Sequence, residues 1–412
     1  MTQPAPRQCR LCAAPLGVPA VDLGMAPMAG IFPRPDGRRM QPFYPLRAFV
    51  CERCLLMQVE QFAPEEETFN SDYAWFSSSS QVWLEHARAF ADQISRHLDL
   101  GAESRVVEVG SNDGSLLERF AERGIQVLGV DPAETVVRAA IERGIPTEIE
   151  FFGRDCAARL AADRKADLII ANNVIADVPD LSDFLEGLKL LLREGGTITI
   201  ETVSLPRMLE TRAWDWICHG HLSYFSAHSA RKLFADHGLR LFDVEELPTH
   251  GGSLRLYASH EDDERSSSQR LEDMLRLEGS RGLQEVDTYR AFGEAVRADK
   301  RQILSLLISV KEDGKRIAGY GASVKTTTVT NYCGIGSDFI DYCCELDPAK
   351  HGRVLPGSDL PICGVDVLEE DRPDFVLIFP WNHCEQIMEQ LSFVRSWGGR
   401  FLARTPELLI LD

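Results

Sequence analysis

The chain has 412 residues, a formal net charge of −19 and 44% apolar residues. Its length exceeds one comfortable core and implies two or three domains. Its acidity disfavours a nucleic-acid binder, which needs a basic field, yet leaves an anionic small substrate open because local donors suffice for one. The N-terminal MTQPAPRQCRLC lacks the apolar core of a secretory signal, and no apolar run approaches a membrane span. In a cytoplasmic chain, eleven cysteines then point to reduced thiols and metal ligation rather than a disulfide scaffold.

Residues 1–66 are rich in Pro, Gly and Cys, and a strand-and-turn unit of that size needs a staple. Cys9-x-x-Cys12 and Cys51-x-x-Cys54 supply two thiolate pairs at a spacing suited to one tetrahedral Zn2+ in a closed structural site. An iron centre would use the same four ligands. A loop over 73–80 precedes a helix over 82–98, where Trp83, Leu84, Ala87, Phe90, Ala91, Ile94 and Leu98 recur at helical spacing. From Arg105 strands and helices alternate through RVVEVG, SLLERFAERG, IQVLGVD, PAETVVRAAIERG, ADLIIANNVI, a helix over 183–192, and TITIETV. That succession predicts a mostly parallel sheet with helices on both faces. Residues 261–281 read as a charged polar segment and 286–310 as a bridging helix. A second βα series follows in RIAGYGA, FIDYCCELD, FVLIFPW and FLARTPELLIL. The predicted fold class is α/β in three parts: a zinc-binding domain (1–66), a central nucleotide-fold domain (67–259) and a C-terminal α/β domain (260–412).

The segment Glu108-Val-Gly-Ser-Asn-Asp-Gly114 sits where the first central strand meets its helix. Gly110 allows a tight turn, Asn112 lies inside the loop, and Gly114 allows close backbone approach. Asp131 ends the second strand, where a carboxylate accepts hydrogen bonds from two ribose hydroxyls. The incomplete G-x-G-x-x-G pattern argues against a dinucleotide, whose pyrophosphate needs the helix N-terminus. S-adenosylmethionine has no pyrophosphate and fits a Rossmann-like class I methyltransferase domain. Asn172 and Asn173 fall at the carboxyl end of a central strand, as ligand contacts or, for Asn173, as a strand-end cap.

These features, with SNDGSLL, ANNV, LSYFS, DVEELPTHGGSLR, NYCGIG, GRVLPG, DRPDFVLIFPWN and WGGRF, span essentially the whole chain. The chain resembles the zinc-containing, S-adenosylmethionine-dependent C-methyltransferases of thymidine-diphosphate-linked 4-keto-6-deoxy sugars in antibiotic pathways. The resemblance implies a monomer that holds a nucleotide-linked substrate between its central and C-terminal domains. It also implies proton removal beside a carbonyl, then attack of the enolate carbon on the cofactor's methyl group. The family's Tyr-His-Glu-His run reads Cys218-His219-Gly220-His221 here, which keeps the histidine the family uses as base. Cys218 and His219 stay as catalytic candidates from that run, although the pair of histidines is also compatible with a metal site. Asp177 stands where the family has a further histidine, and can orient His221 or replace it as base. Tyr73 matches the family's active-site tyrosine. His250 is either a substrate contact or a loop histidine.

The family's GYGAPAKGNT corresponds to 319–328, a strand-to-helix turn where Ser323 and Lys325 either meet a diphosphate or mark an ordinary helix start. Arg353 pairs with phosphate or faces solvent. Trp214 and Trp216 either wall the acceptor site or close the core. The reading is methyl transfer to carbon on a nucleotide-linked keto-deoxysugar. The alternative is epimerisation, dehydration or rearrangement of a related substrate, with the cofactor retained structurally.

Overall fold

The computed structural model describes residues 7–35, 41–64, 76–404 and 408–411, so Tyr73 lies outside the described residues. The chain begins with β1 (Val21–Pro27), β2 (Phe43–Val50) and β3 (Met57–Val59). The central part runs α1 (Gln81–His97), β4 (Arg105–Val109), α2 (Leu117–Ala121), β5 (Gln126–Asp131), α3 (Glu134–Glu142) and β6 (Thr147–Ile149). It continues with α4 (Arg154–Asp163), β7 (Ala166–Asn172), α5 (Leu181–Leu191), β8 (Leu192–Val203), α6 (Leu205–Glu210), β9 (Ser223–Tyr224) and α7 (Ala227–Asp236). The hairpin β10 (Leu239–Leu247) and β11 (Ser253–His260) then leads into α8 (Gln269–Ser280) and α9 (Val286–Glu312). The C-terminal unit contains β12 (Ile317–Tyr320), α10 (Val324–Cys333), β13 (Cys343–Cys344), β14 (Ile362–Cys363), β15 (Phe375–Ile378), β16 (Arg400–Arg404) and β17 (Leu408–Leu411).

The central sheet has the order β10-β11-β8-β7-β4-β5-β6. The strands from β4 to β8 pair in parallel, and β11 joins β8 antiparallel. Helices cover both faces of the parallel strands, so β7 is almost entirely buried and reads as a continuous apolar run. On α1 the buried residues Ala87, Phe90, Ala91 and Ile94 form one helical stripe. The 261–281 segment departs from its sequence reading, because most of it is the helix α8. Only Leu271 and Met274 give α8 a buried apolar face. Its buried Glu278 accepts hydrogen bonds from the Ala227 and His228 amides at the start of α7. A helix anchored by a carboxylate leaves little apolar periodicity to read.

The C-terminal sheet has the order β14-β13-β12-β15-β16-β17, parallel except for β17. The N-terminal sheet has the order β1-β2-β3-β9 and draws its last strand from beyond residue 66. Met57 pairs with Tyr224 and Gln58 with Ser223. Arg10 ties the two segments further by donating Nη1 to the carbonyls of Val59 (2.7 Å) and Leu222 (3.2 Å). The N-terminal sheet therefore grips the chain immediately after His221. One apolar cluster joins Leu46 of the N-terminal sheet, Trp214 of the central part and Leu377 of the C-terminal sheet. Among the described residues, no helix is long and apolar enough to cross a membrane.

Candidate active site

The four N-terminal sulfurs all lie within 4.8 Å of one another. Cys9 and Cys54 are 3.5 Å apart, as are Cys12 and Cys51, far beyond the about 2.05 Å of a disulfide. Each pair sits in a tight turn, closed by Ala13 N–H to the Cys9 carbonyl and by Leu55 N–H to the Cys51 carbonyl. Ala13 and Leu55 take positive φ values of 54° and 60° to close those turns. The Gln58 amide donates to the Cys9 sulfur at 3.2 Å, which suits a thiolate. Contact with Cys54 holds the Cys9 thiol down at about 4, while contact with Cys9 pushes the Cys54 thiol up. Four converging, mostly buried sulfurs fit Zn2+, which stabilises all four as thiolates.

A cleft of about 1380 Å³ opens at the carboxyl ends of the central strands and is bordered on its far side by the C-terminal unit. Gly110 forms its floor with φ +69°, and a Cβ there would lie 2.3 Å from Val174 Cγ2. The neighbouring loop is folded by Asp131, which accepts hydrogen bonds from the Asn112 and Ala133 amides, both at 2.9 Å. Each carboxylate oxygen of Asp131 keeps further acceptor capacity. A short 3-10 turn at Ser77–Ser79, just before α1, closes over this loop, where Ser77 N–H donates to Asn112 and Ser78 N–H to Asp113.

Glu108 Oε2, Ser111 Oγ and Asn172 Oδ1 line the same cleft, and each is buried without a hydrogen-bond partner. Burial and the neighbouring Asp131 and Asp113 push the Glu108 carboxyl well above its ordinary range. Orphaned polar atoms of this kind are costly unless a ligand completes them. Asn173 lines the cleft at φ +55°, its amide donating to the Glu201 carbonyl at 2.7 Å. These residues fit an adenosine bearing a polar amino-acid tail, so S-adenosylmethionine fits the donor and acceptor set.

Asp177 and His221 face one another in the acceptor half, with Asp177 Oδ1 3.9 Å from His221 Nε2. Burial raises the Asp177 carboxyl to about 6, against the opposing pull of His221. Burial by itself would lower the His221 imidazole, but the Cys218 thiol and Asp177 carry it up to about 10. At pH 7 the pair is therefore a carboxylate and an imidazolium. At this separation and an effective dielectric of about 20, their attraction is about 4 kcal/mol. The imidazole stacks on Trp216 with centroids 5.7 Å apart, and its Nδ1 lies 3.4 Å from the Trp216 carbonyl. Where the family carries glutamate, a Cβ on Gly220 would meet nothing within 4 Å, so that space stays open.

The remaining candidates divide between the cleft and its surroundings. A bend at 219–220 turns His219 away from His221, so that its Nε2 meets the Pro45 carbonyl at 3.2 Å while Tyr44 and Phe62 pack edge-on. Cys218 is buried behind the cleft wall, with its amide on the Tyr224 hydroxyl and its thiol on His221. The close approach allowed by Gly114 is to Ile145 and Ala140, both within 3.2 Å of a Cβ built there, rather than to a ligand. Ser323 does line the cleft, but its side chain caps α10. Arg353 donates to the carbonyls of Phe32 and Ala349, which fastens the N-terminal unit instead of reaching the cleft. Lys325 is buried, with its ammonium on Asn382 Oδ1 (2.6 Å) and over the rings of Trp216 and Trp381. His250 does line the cleft, in a strained φ of +58°, and burial lowers it to about 4.

Sequence reasoning missed a buried polar group beside the acceptor half. Glu201 Oε2 meets His86 Nε2 and Arg255 Nη2, both at 2.8 Å, and Thr249 Oγ1 donates to Glu201 Oε1 at 2.8 Å. Burial would raise the Glu201 carboxyl, but His86, Arg255 and Thr249 hold it at about 2. Its only signal in the chain was a glutamate at the end of a strand that is otherwise apolar and threonine-rich.

Comparison with known proteins agrees with this three-part arrangement. Residues 9–69 match a family described as a putative zinc binding domain, 82–244 a methyltransferase domain, and 248–406 a C-methyltransferase C-terminal domain. C-methyltransferase NovU of Streptomyces niveus is 32% identical over 407 residues, covering 98% of this chain and 97% of NovU. A ubiquinone biosynthesis O-methyltransferase of Leptothrix cholodnii is 34% identical over 107 residues, covering 24% of this chain and 44% of its own. The solved 1,6-didemethyltoxoflavin-N1-methyltransferase of Burkholderia thailandensis aligns with 50% of this chain and 96% of its own, at 20% identity and a TM-score of 0.38. Matched from end to end with NovU, and carrying both the cysteine cluster and the methyltransferase domain, this chain belongs to the zinc-binding, S-adenosylmethionine-dependent C-methyltransferases.

Proposed function

We propose that this enzyme methylates the carbon beside the carbonyl of a nucleotide-linked keto-deoxysugar. The observation that carries the reading is the Asp177–His221 pair, which faces the cleft that also holds the orphaned acceptors Glu108 and Asn172. S-adenosylmethionine, when bound, supplies an electrophilic methyl group. Asp131, Asn112 and Gly110 would hold its adenosine half, with Asn172 and Asn173 toward the reacting end. Asp177 takes the proton from the acceptor carbon, since a carboxyl raised to about 6 is a stronger base than an ordinary one and is still ionised at pH 7. His221, as imidazolium, donates a hydrogen bond to the carbonyl oxygen as negative charge develops there. The roles are thus exchanged relative to a histidine base. His250, buried and neutral, faces the same space and would contact the substrate.

The nucleotide-sugar assignment rests on the resemblance and on a cleft roomy enough for cofactor and acceptor together. The same resemblance supports a monomer, the eleven cysteines read as reduced thiols support a cytoplasmic setting, and the net charge of −19 supports a small-molecule partner over a nucleic acid. The test is incubation of the zinc-loaded protein with S-adenosylmethionine and a thymidine-diphosphate 4-keto-6-deoxy sugar, followed by mass spectrometry. A methyl gain matched one for one by demethylated cofactor supports the reading. Epimerised or dehydrated product with the cofactor intact would sink it.

A further inference from the structure

The C-terminal unit reaches the His221 segment through one face of α10. Lys325, Thr328 and Tyr332 recur three and four residues apart, so they project from the same side of the helix. Tyr332 packs edge-on against Trp214, with centroids 5.3 Å apart. Thr328 Oγ1 donates to the Ile217 carbonyl at 3.0 Å. Lys325 Nζ stands 4.1 Å from the centroid of the Trp216 ring and 5.0 Å from that of Trp381. Trp381 is fixed in turn by its Nε1 hydrogen bond to Asp215 Oδ2, and Asp215 Oδ1 pairs with Arg404, both at 2.7 Å. Successive contacts along α10 thus hold residues 214–217, the chain that leads directly into His221.

Trp216 is the link between this rail and the chemistry. Its ring stacks with the His221 imidazole at an interplanar angle of 22°, its carbonyl faces His221 Nδ1, and its Nε1 donates to the His250 carbonyl at 3.2 Å. An apolar side chain would fill the space beneath Trp216 without the cost of burying an ammonium. The hydrogen-bond partner of Lys325 is the neutral amide of Asn382 rather than a carboxylate. What a cation adds there is directional attraction to the indole face, which strengthens when desolvated.

We propose that Lys325 is a positioning residue for the acid–base pair: its ammonium holds Trp216, and Trp216 holds the His221 imidazole against Asp177. The inference rests on the assignment of His221 given above. It makes the C-terminal unit part of the catalytic histidine's scaffold as well as a wall of the acceptor site.

The test reads the imidazole itself. The groups facing His221 are Cys218, Asp177 and Tyr224, with His250 and Lys325 beyond Trp216. Zinc-loaded protein labelled with carbon-13 at histidine, saturated with S-adenosylhomocysteine, is titrated by NMR, with His221→Gln identifying the resonance. In Lys325→Met the His221 midpoint is expected to fall by about one pH unit or more, because the ring leaves the Cys218 and Asp177 that hold it up. Lys325→Arg, which keeps a cation over the indole, restores it. A role limited to charge predicts the opposite sign, since removing a cation raises a nearby imidazole. A midpoint that rises or stays put, or a fall that arginine does not rescue, overturns the proposal. If Lys325→Met no longer binds S-adenosylhomocysteine, Lys325→Gln takes its place, with the same fall expected and an unchanged midpoint contradicting the proposal. Failure of every keto-sugar to accept a methyl group would count against the proposed function and leave this result standing.

Discussion

The chain contains two strand–loop–helix–strand units, and they use the same topology in opposite ways. In the first, β4 hands over to α2 through the Gly110 loop, and Asp131 ends the next strand. In the second, β12 hands over to α10 through Gly321, and Glu345 follows the next strand. Both acidic residues accept loop amides: Asn112 and Ala133 on Asp131, and Ala322, Leu346 and Asp347 on Glu345. The helix starts differ. No side chain caps α2, whereas Ser323 and Thr326 cap α10 reciprocally. The first unit leaves Glu108 and Ser111 orphaned toward the cleft, while the second consumes its own donors and buries its lysine. One unit is kept unsatisfied to receive a ligand and the other is satisfied to serve as scaffold. That difference turns the Lys325 ammonium to Asn382, Trp216 and Trp381.

The comparison breaks most visibly at Gly110. Its positive φ and the 2.3 Å approach to Val174 leave no room for a methyl group, so Gly110→Ala is expected to abolish S-adenosylhomocysteine binding by calorimetry. Glu345→Ala, the mirror test in the second unit, should leave that binding unchanged. Next in size, Asp177→Asn is expected to lower kcat by about 10²–10⁴ with cofactor affinity retained. The sign of the pH dependence follows from Asp177: wild-type activity falls as pH drops through about 6, where the carboxylate is protonated. In the asparagine variant, residual activity should lose that acid limb.

Cys51→Ser tests the remaining unit. Loss of one thiolate should release the metal and loosen the N-terminal sheet. Because β9 belongs to that sheet, kcat should fall while S-adenosylhomocysteine still binds, as measured by metal content and calorimetry together. The smallest effect is expected from Ser323→Ala, which removes a helix cap worth about 1 kcal/mol and should lower the thermal midpoint slightly.

How much could be read from the chain depended on whether a feature is local. Cys9-x-x-Cys12 and Glu108 to Gly114 are contiguous patterns whose chemistry follows from spacing, and both converge in space. Asp177 and His221 meet only through the fold, and resemblance alone singled them out together. His86 and Glu201 left no pattern at all, since a single histidine on a helix and a glutamate at a strand end are ordinary. His219 misled because two histidines two apart suggest a shared side, which the bend at Gly220 undoes. The pairing of Ser223–Tyr224 with the N-terminal sheet was equally invisible, because two residues are too short to show strand periodicity.

The most direct measurement is hydrogen exchange at the acceptor carbon. The zinc-loaded enzyme, saturated with S-adenosylhomocysteine so that no methyl group can move, is incubated in deuterated water with a thymidine-diphosphate 4-keto-6-deoxy sugar. The account predicts deuterium at the carbon beside the carbonyl for the wild type and its loss in Asp177→Asn. Exchange at an undiminished rate in Asp177→Asn would contradict the assignment of the base, and no exchange above the enzyme-free rate in the wild type would contradict carbon methylation of this substrate.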